Sequence, residues 1–415
     1  RGRGEQIPMS RGGTSFQFVA EMVGAGRGAA AQAAFAPGEP VALSGKQRGD
    51  ARVGDLVMVT VKGRQGRVVE VFGPARSPAV VMRALLADAG KGWGLPRKVD
   101  AAAAAIVDTD PLSDPERRDL TAQAVVTIDP EGAKDHDDAI AAQIEGDDVR
   151  LWVHIADVTH YVTPGDPVDV EAQRRGCSVY LPGTVDPMLP TRLSNDLCSL
   201  RPGVVRRVVT AEMVVARDGS VSGERFYRSA IRSECRLTYP DVDRYIDGEP
   251  LPAEGLAGTV DAAREAARRL RARRDGKGGL TVGAGEPQFV LAPDGVTDVH
   301  IEHQTESHRI VEDCMVAANE AVARHLIAKG VPALFRHHPD PDQARVERLY
   351  ERLAALDVST PALPEHEMGP AECRAAVTAA GDAVARHVAA LGARGDHRAG
   401  AGLWTLVLRA LAQAF

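Results

Sequence analysis

Four aspartates crowd into Val125-Val126-Thr127-Ile128-Asp129-Pro130-Glu131-Gly132-Ala133-Lys134-Asp135-His136-Asp137-Asp138-Ala139-Ile140, and both flanks of this run are apolar. No other segment constrains the fold as tightly. The β-branched residues before Asp129 predict a strand that delivers this carboxylate at its end. Pro130 and Gly132 predict a loop. The apolar flanks put the acids against a core rather than on a free tail. In an extended backbone Asp135 and Asp137 project to one side and Asp138 to the other, and a bend would gather all of them.

Carboxylates this close repel, and some would hold protons through raised pKa values. A divalent cation removes that conflict. Aspartate oxygens suit hard Mg²⁺ or Mn²⁺ rather than zinc. Two such ions about 4 Å apart can activate a water and stabilise the leaving oxygen of a phosphodiester. Two other readings compete at this point. A calcium loop has comparable spacing, but the EF-hand ligand run and its closing Glu are absent. A solvated acidic turn capping a helix at Ala139 would use the same residues.

The rest of the composition sets bounds. A chain of 415 residues predicts two or three domains. Its 44% hydrophobic and 26% charged residues exclude disorder throughout. No run approaches the roughly 18 apolar residues of a membrane span, and no apolar signal core opens the chain. The cysteines, Cys177, Cys198, Cys235, Cys314 and Cys373, are odd in number and dispersed, without a Cys-x-x-Cys. That pattern speaks against a disulfide framework or a thiolate zinc site and predicts a reducing, cytoplasmic setting. A net charge of -7 does not suggest coating of nucleic acid by bulk charge, although a local basic channel can supply phosphate contacts.

Along the chain, residues 1–45 are rich in Gly, Ala and Arg and read as a partly ordered N-terminal extension, with Gln17 to Val23 a short helix or strand. Residues 46–95 read as a small β module. Its centre is a hairpin, with β-branched runs on either side of Lys62-Gly63-Arg64-Gln65-Gly66. Lys62, Arg64 and Arg67 could touch phosphate there, but turn charges are usually just solvated. Residues 96–120 form a connector with an Ala-rich helix after Pro96. Residues 121–415 mix short β runs with helical patterns at 256–274, 307–328 and 341–355, which predicts a mixed α/β (α+β) domain. The arginines at 264, 268, 269, 271, 273 and 274, with Lys277, read as the charged outer face of a helix. Trp93, Trp152 and Trp404 read as packing residues.

The acidic run resembles the signature of the ribonuclease II/ribonuclease R family, which carries the RNB-type catalytic domain. The resemblance continues through His154-Ile155-Ala156-Asp157-Val158 and Ser178-Val179-Tyr180-Leu181-Pro182-Gly183. It extends to Pro187-Met188-Leu189-Pro190 and Leu193-Ser194-Asn195-Asp196-Leu197-Cys198-Ser199-Leu200. Further on, Leu237-Thr238-Tyr239-Pro240-Asp241-Val242 and the stretch His308 to Asn319 match the family's tyrosine and helical segments. These ordered blocks cover about residues 50–340.

The resemblance implies a processive, hydrolytic exoribonuclease. It would degrade single-stranded RNA from the 3′ end to nucleoside 5′-monophosphates, with no membrane association and no obligate protein partner. It implies that Asp129, Asp135, Asp137 and Asp138 are catalytic and hold Mg²⁺, with Mn²⁺ as a possible substitute, and that Asp137 is the least replaceable. It implies that Tyr180 stacks on the 3′ base, in a mode that any base allows. Tyr239 and Glu312 would recognise the ribose, whose 2′-OH distinguishes RNA from DNA. For Glu312 an ion pair with Arg309 competes. Val282 takes a position where the family often has the aromatic partner of the base clamp. The module at 46–95 would be of OB/cold-shock type.

In the family, the helix matching 403–415 is followed by a Ser-Pro-Ile-Arg-Arg-type segment and then by an OB-fold domain. Neither lies in these 415 residues, so the resemblance implies a C-terminally incomplete catalytic domain with weak turnover of its own. Two alternatives remain: an RNA-binding or regulatory relative without turnover, and a DNA nuclease with a similar acidic site.

Overall fold

A computed structural model describes residues 16–24, 28–63, 65–92, 94–276, 285–336, 339–392 and 399–411. The chain forms two compact units, each assembled from separate stretches of sequence. The first comprises residues 1–106, 162–191 and 287–301, and the second 107–161, 192–286 and 302–415.

The first unit begins with β1 (Phe16–Met22), β2 (Ala30–Ala33), β3 (Val41–Ala42), a short helix α1 (Gly45–Arg48), β4 (Asp55–Lys62) and β5 (Gln65–Pro74). The expected hairpin is β4–β5, but its sheet is larger than expected. The strand order is β3-β2-β1-β4-β5, with β1 at the centre. The sheet therefore starts inside the segment read as a lead-in, and the stretch read as a short helix or strand is a strand from Phe16 to Met22. Alternation explains why. Phe18, Ala20 and Met22 pack with Val57, Val59 and Val61 on one face. Val19, Leu56, Met58 and Phe72 face Ala84 of helix α2 (Pro78–Asp88) on the other. A strand buried on both faces reads as a nearly continuous apolar run, and here Gln17 and Glu21 interrupt it, which leaves helix and strand undecided in sequence. Arg64 and Trp93 lie outside the described residues. Helix α3 (Arg97–Ala104) follows Pro96 as expected.

The second unit takes up the chain with β6 (Arg118–Asp119), β7 (Val125–Asp129), β8 (Asp138–Glu145) and β9 (Asp148–Ala156). The chain then returns to the first unit for α4 (Pro167–Arg175) and the small hairpin β10 (Val179–Leu181) and β11 (Thr184–Asp186). Back in the second unit come β12 (Val205–Val215), the long β13 (Val221–Thr238), α5 (Tyr239–Ile246) and α6 (Ala257–Gly276). The hairpin β14 (Glu286–Ala292) and β15 (Gly295–Glu302) precedes α7 (Glu306–Ala328), α8 (Gln343–Ala354), α9 (Pro370–Gly392) and α10 (Ala399–Ala410).

The main sheet runs β12-β9-β8-β7-β13-β6, and β13 also pairs with β12. The pairing thus makes a closed circuit. β13 does this by changing partner along its length. Its first part runs antiparallel to β12 as far as Arg232. Its last part, after a register shift between Ser233 and Cys235, runs parallel to β7. A bulge of this kind bends a strand, and closure removes edges that would otherwise invite pairing with other chains.

Period-two alternation gives this sheet two distinct faces. Val149, Leu151 and Val153, with Ala211, Met213 and Val215, pack under α6 and α7. The alanines at 262, 263, 266 and 267 join the same core, where small side chains permit close helix approach. The other face is polar and equally dry: Thr127, His154, Thr210 and Ser229 are fully buried. Helices α8, α9 and α10 form a separate apolar cluster around Leu349, Val377, Val384 and Trp404. Among the described residues, no helix is long and apolar enough to cross a membrane.

Candidate active site

The acidic run occupies the break between β7 and β8. Those strands share one register pair, Val126 opposite Ile140, so the chain between them is irregular. Asp129 is the last residue of β7 and is buried. Asp138 is the first residue of β8, paired with Ile155 of β9. The helix-capping alternative is therefore excluded, since Ala139 continues a strand.

The loop is tied down by backbone contacts. The Ala156 N–H donates to the Asp137 carbonyl at 2.9 Å, and the Leu200 N–H donates to the His136 carbonyl at 2.8 Å. Ser199, fully buried, donates through Oγ to the Lys134 carbonyl at 2.9 Å and accepts from the His136 N–H at 3.2 Å. His136 Nδ1 sits 2.9 Å from Asp129 Oδ2, within ion-pair range but without hydrogen-bond geometry. His136 is thus a buried neighbour of the acids, which its sequence context alone does not indicate.

Burial and neighbouring charge raise two of the carboxylates. Asp138 is pushed up to about 6, first by burial and then by the charges of Asp129 and Asp137, while His136 pulls it down. Asp137 is raised by burial, then by Asp135 and Asp129. Its residue surface is exposed, yet the protein around the carboxylate still desolvates it. Asp135, half-buried in the same loop, belongs to this cluster through its effect on Asp137. The thiol of Cys198 is pushed up to about 12 by burial and by Asp137, and that of Cys314 is raised by burial, Asp313 and Asp138. Both thiols are therefore unreactive.

The donor chemistry fits a hard divalent cation. All four candidate donors are aspartates, and Asp129 Oδ2 is a buried acceptor without a hydrogen-bond partner. Among the described residues, however, no three His, Cys, Asp or Glu side chains form a ready-made cation cage.

The parallel ladder brings in Tyr239. Thr238 pairs with Asp129, and Tyr239 is the next residue, at the start of α5. Its phenol is pushed up to about 12, by burial first and then by Asp129, Asp138 and Glu302. The ring stacks on His308 of α7, centroids 3.8 Å apart. Glu312 lies one turn further along that helix, with its side chain 47% exposed. Its nearest cation is Arg274, at 3.9 Å, so the expected competition from Arg309 gives way to a different arginine.

Tyr180 belongs to the first unit. It stands on β10 opposite Val185 of β11 and is 63% exposed. The base of this hairpin is firmly held. Arg175 donates to Glu171 and to Asp186, both at 2.8 Å, and the Gly92 N–H donates to Asp186 at 2.9 Å. Val282, read as the opposing side of the base clamp, lies outside the described residues, as does Lys277.

The basic run on α6 is not a free charged face. Arg269 is buried and donates to Glu265, to the Asp147 carbonyl at 2.8 Å and to the Val215 carbonyl. Arg271 and Arg274 converge on the buried Asp313 at 2.8 and 2.6 Å. Helical spacing does not reveal such ties, because the partners lie on other strands and helices.

Comparison with known proteins follows the same lines. The RNB domain family matches residues 117–398. Ribonuclease R of Aquifex aeolicus is 36% identical over 298 residues, an alignment covering 70% of this chain and 42% of that protein. The chain thus spans less than half the length of this curated relative. Among solved structures, Mycoplasma genitalium RNase R in complex with double-stranded RNA matches with a TM-score of 0.81 and 24% identity, over 96% of this chain and 70% of that one. Yeast Ssd1, a pseudonuclease, matches with a TM-score of 0.67 and 16% identity, over 97% and 49% of the two chains. At these identities the structural matches show the shared mixed α/β fold.

Proposed function

The chain belongs to the RNB domain family, and on that premise we propose that it is a hydrolytic, processive 3′→5′ exoribonuclease. Its substrate would be single-stranded RNA, its products nucleoside 5′-monophosphates, its cofactor Mg²⁺ or Mn²⁺ and its compartment the cytoplasm. Residues 121–415 would form the catalytic domain, and the β sheet before it an OB/cold-shock-type module. The observation that carries this reading is the crowding of the loop's carboxylates beside Tyr239, in which burial and neighbouring acids raise Asp137 and Asp138.

Asp129, Asp135, Asp137 and Asp138 would hold the cation, whose charge would activate a water and stabilise the leaving oxygen. Asp137 takes the most demanding role, since its carboxylate is both desolvated and open to an incoming phosphate. Tyr239 keeps its phenolic proton at neutral pH and can donate to, or accept from, a ribose 2′-OH. The exposed carboxylate of Glu312 accepts from the same sugar. Tyr180, 63% exposed on its hairpin, carries an aromatic ring that would suit a base of any identity.

The likeness to a pseudonuclease makes RNA binding without turnover the second reading. Incubation with 5′-labelled poly(A) and Mg²⁺ separates the two. Progressive shortening to very small products supports the exonuclease, and bound but intact RNA supports the binding protein. Equal cleavage of a deoxy oligomer would favour a DNA nuclease instead.

A further inference from the structure

The loop that carries the acids has little to hold it by itself. Residues 130–137 belong to no strand or helix, and β7 and β8 meet at one register pair. Its charges push it open, since the carboxylates repel one another. Its shape must therefore come from contacts made by other parts of the chain.

We propose that Arg236 and Ser199 are positioning residues that hold this loop in its working shape. The inference rests on the exonuclease reading above. Arg236 lies on β13 opposite Thr127 of β7, two residues before Thr238. Its Nη2 donates to the Pro130 carbonyl at 2.9 Å and to the Glu131 carbonyl, the two residues that follow Asp129. Nearby, against its burial, hydrogen bonds with Thr238 and then the charge of Arg244 hold Asp241 below the usual carboxylate range. Asp241 in turn caps α5 through Thr238, and α5 begins with Tyr239. Arg236 thus fixes the entry of the acidic loop from the same strand end that leads into Tyr239.

Ser199 holds the exit. Its hydroxyl bonds both the Lys134 carbonyl and the His136 N–H, so Asp135 lies between two fixed backbone groups. Arg206 donates to the Ser199 carbonyl at 3.0 Å and keeps this clamp in place. Arg236 and Ser199 bring no carboxylate of their own. They act through the loop, and supporting contacts of this kind are typically worth ten- to a hundredfold in metal affinity or activity.

The test uses the whole chain carrying Arg236→Met, Arg236→Lys or Ser199→Ala. Amide hydrogen exchange is followed in residues 130–137 and in β9. Binding of Mn²⁺ alone is followed by electron paramagnetic resonance, and RNA binding by the dissociation constant. In Arg236→Met and Ser199→Ala, loop exchange should quicken while β9 stays protected. Mn²⁺ should bind about tenfold more weakly, and RNA affinity should stay within about twofold. Arg236→Lys should recover part of the loss, since an ammonium keeps the charge but not the planar fork. Wild-type loop exchange and Mn²⁺ affinity in both Arg236→Met and Ser199→Ala would overturn the proposal. If Arg236→Met loses β9 protection as well, Ser199→Ala carries the test. If the wild-type protein binds no Mn²⁺, the exonuclease reading fails, while loop exchange still decides whether these residues act as clamps.

Discussion

Tyr239 stacks face to face on His308, with ring centroids 3.8 Å apart and an interplanar angle of 17°. The stack holds the ring, and burial first, then the charges of Asp129 and Asp138, pushes its phenol up to about 12. The stack and the hydroxyl are separable. Tyr239→Phe keeps the first and removes the second. A hydrogen bond of this type contributes about 0.5–1.5 kcal/mol, so the preference for RNA over a matched deoxy oligomer should fall about two- to tenfold in kcat/KM. An unchanged preference would remove the ribose-reading role.

Tyr180 offers a second separable contact. Loss of a base stack costs about 1–3 kcal/mol. Tyr180→Ala should therefore weaken binding of short RNA by about five- to 150-fold, whereas Tyr180→Phe should bind as the wild type does. Calorimetric titration with a short oligo(A) checks both.

Adjacent arginines on α6 should behave in opposite ways. Arg269 is buried and satisfies the Asp147 and Val215 carbonyls. Its replacement by alanine removes a buried side chain and leaves the buried Val215 carbonyl without this donor, and should destabilise the protein by about 1–3 kcal/mol in urea unfolding. Arg268 pairs with Glu265 on the surface, and its alanine variant should stay within about 0.5 kcal/mol of wild type. Equal effects would restore the reading of this helix as one solvated basic face.

His154 predicts a pH dependence of stability. Burial pushes its imidazole down to about 3, against an ordinary value of 6.5. Below pH 6.5 the unfolded chain binds a proton that the folded chain refuses. The contribution of His154 is therefore complete above pH 6.5 and is lost as the pH falls toward 3, with a slope of up to about 1.4 kcal/mol per pH unit. In urea titrations from pH 7 to pH 4.5, wild type should lose more stability than His154→Gln. Parallel losses would contradict a neutral, buried His154.

Much of this was legible in the sequence because local pattern and tertiary environment agree. The alternation of Val149, Leu151 and Val153 marks a strand with one buried face, and the strand is there. The periodic helices at 256–274, 307–328 and 341–355 fall within a residue or two of α6, α7 and α8. The acidic loop announced itself through charge density between two apolar runs. What sequence could not show depends on contacts distant along the chain. The ladder sets Thr238 beside Asp129 across more than a hundred positions. Arg236 reaches two loop carbonyls, and His136 turns inward to Asp129. β1 stayed undecided between helix and strand because a seven-residue stretch with Gln17 and Glu21 among apolar neighbours is too short to fix a period.

The central claim is that Asp129, Asp135, Asp137 and Asp138 together hold a hard cation at a site that cuts RNA. Mn²⁺ binding, read from the loss of the free-ion resonance signal, tests this most directly when Asp137→Asn is compared with wild type and RNA affinity is measured in parallel. Wild type should bind Mn²⁺ saturably, and Asp137→Asn should bind it more weakly by an order of magnitude or more, with RNA affinity retained. Identical Mn²⁺ binding by the two proteins, or none by either, would contradict the central claim.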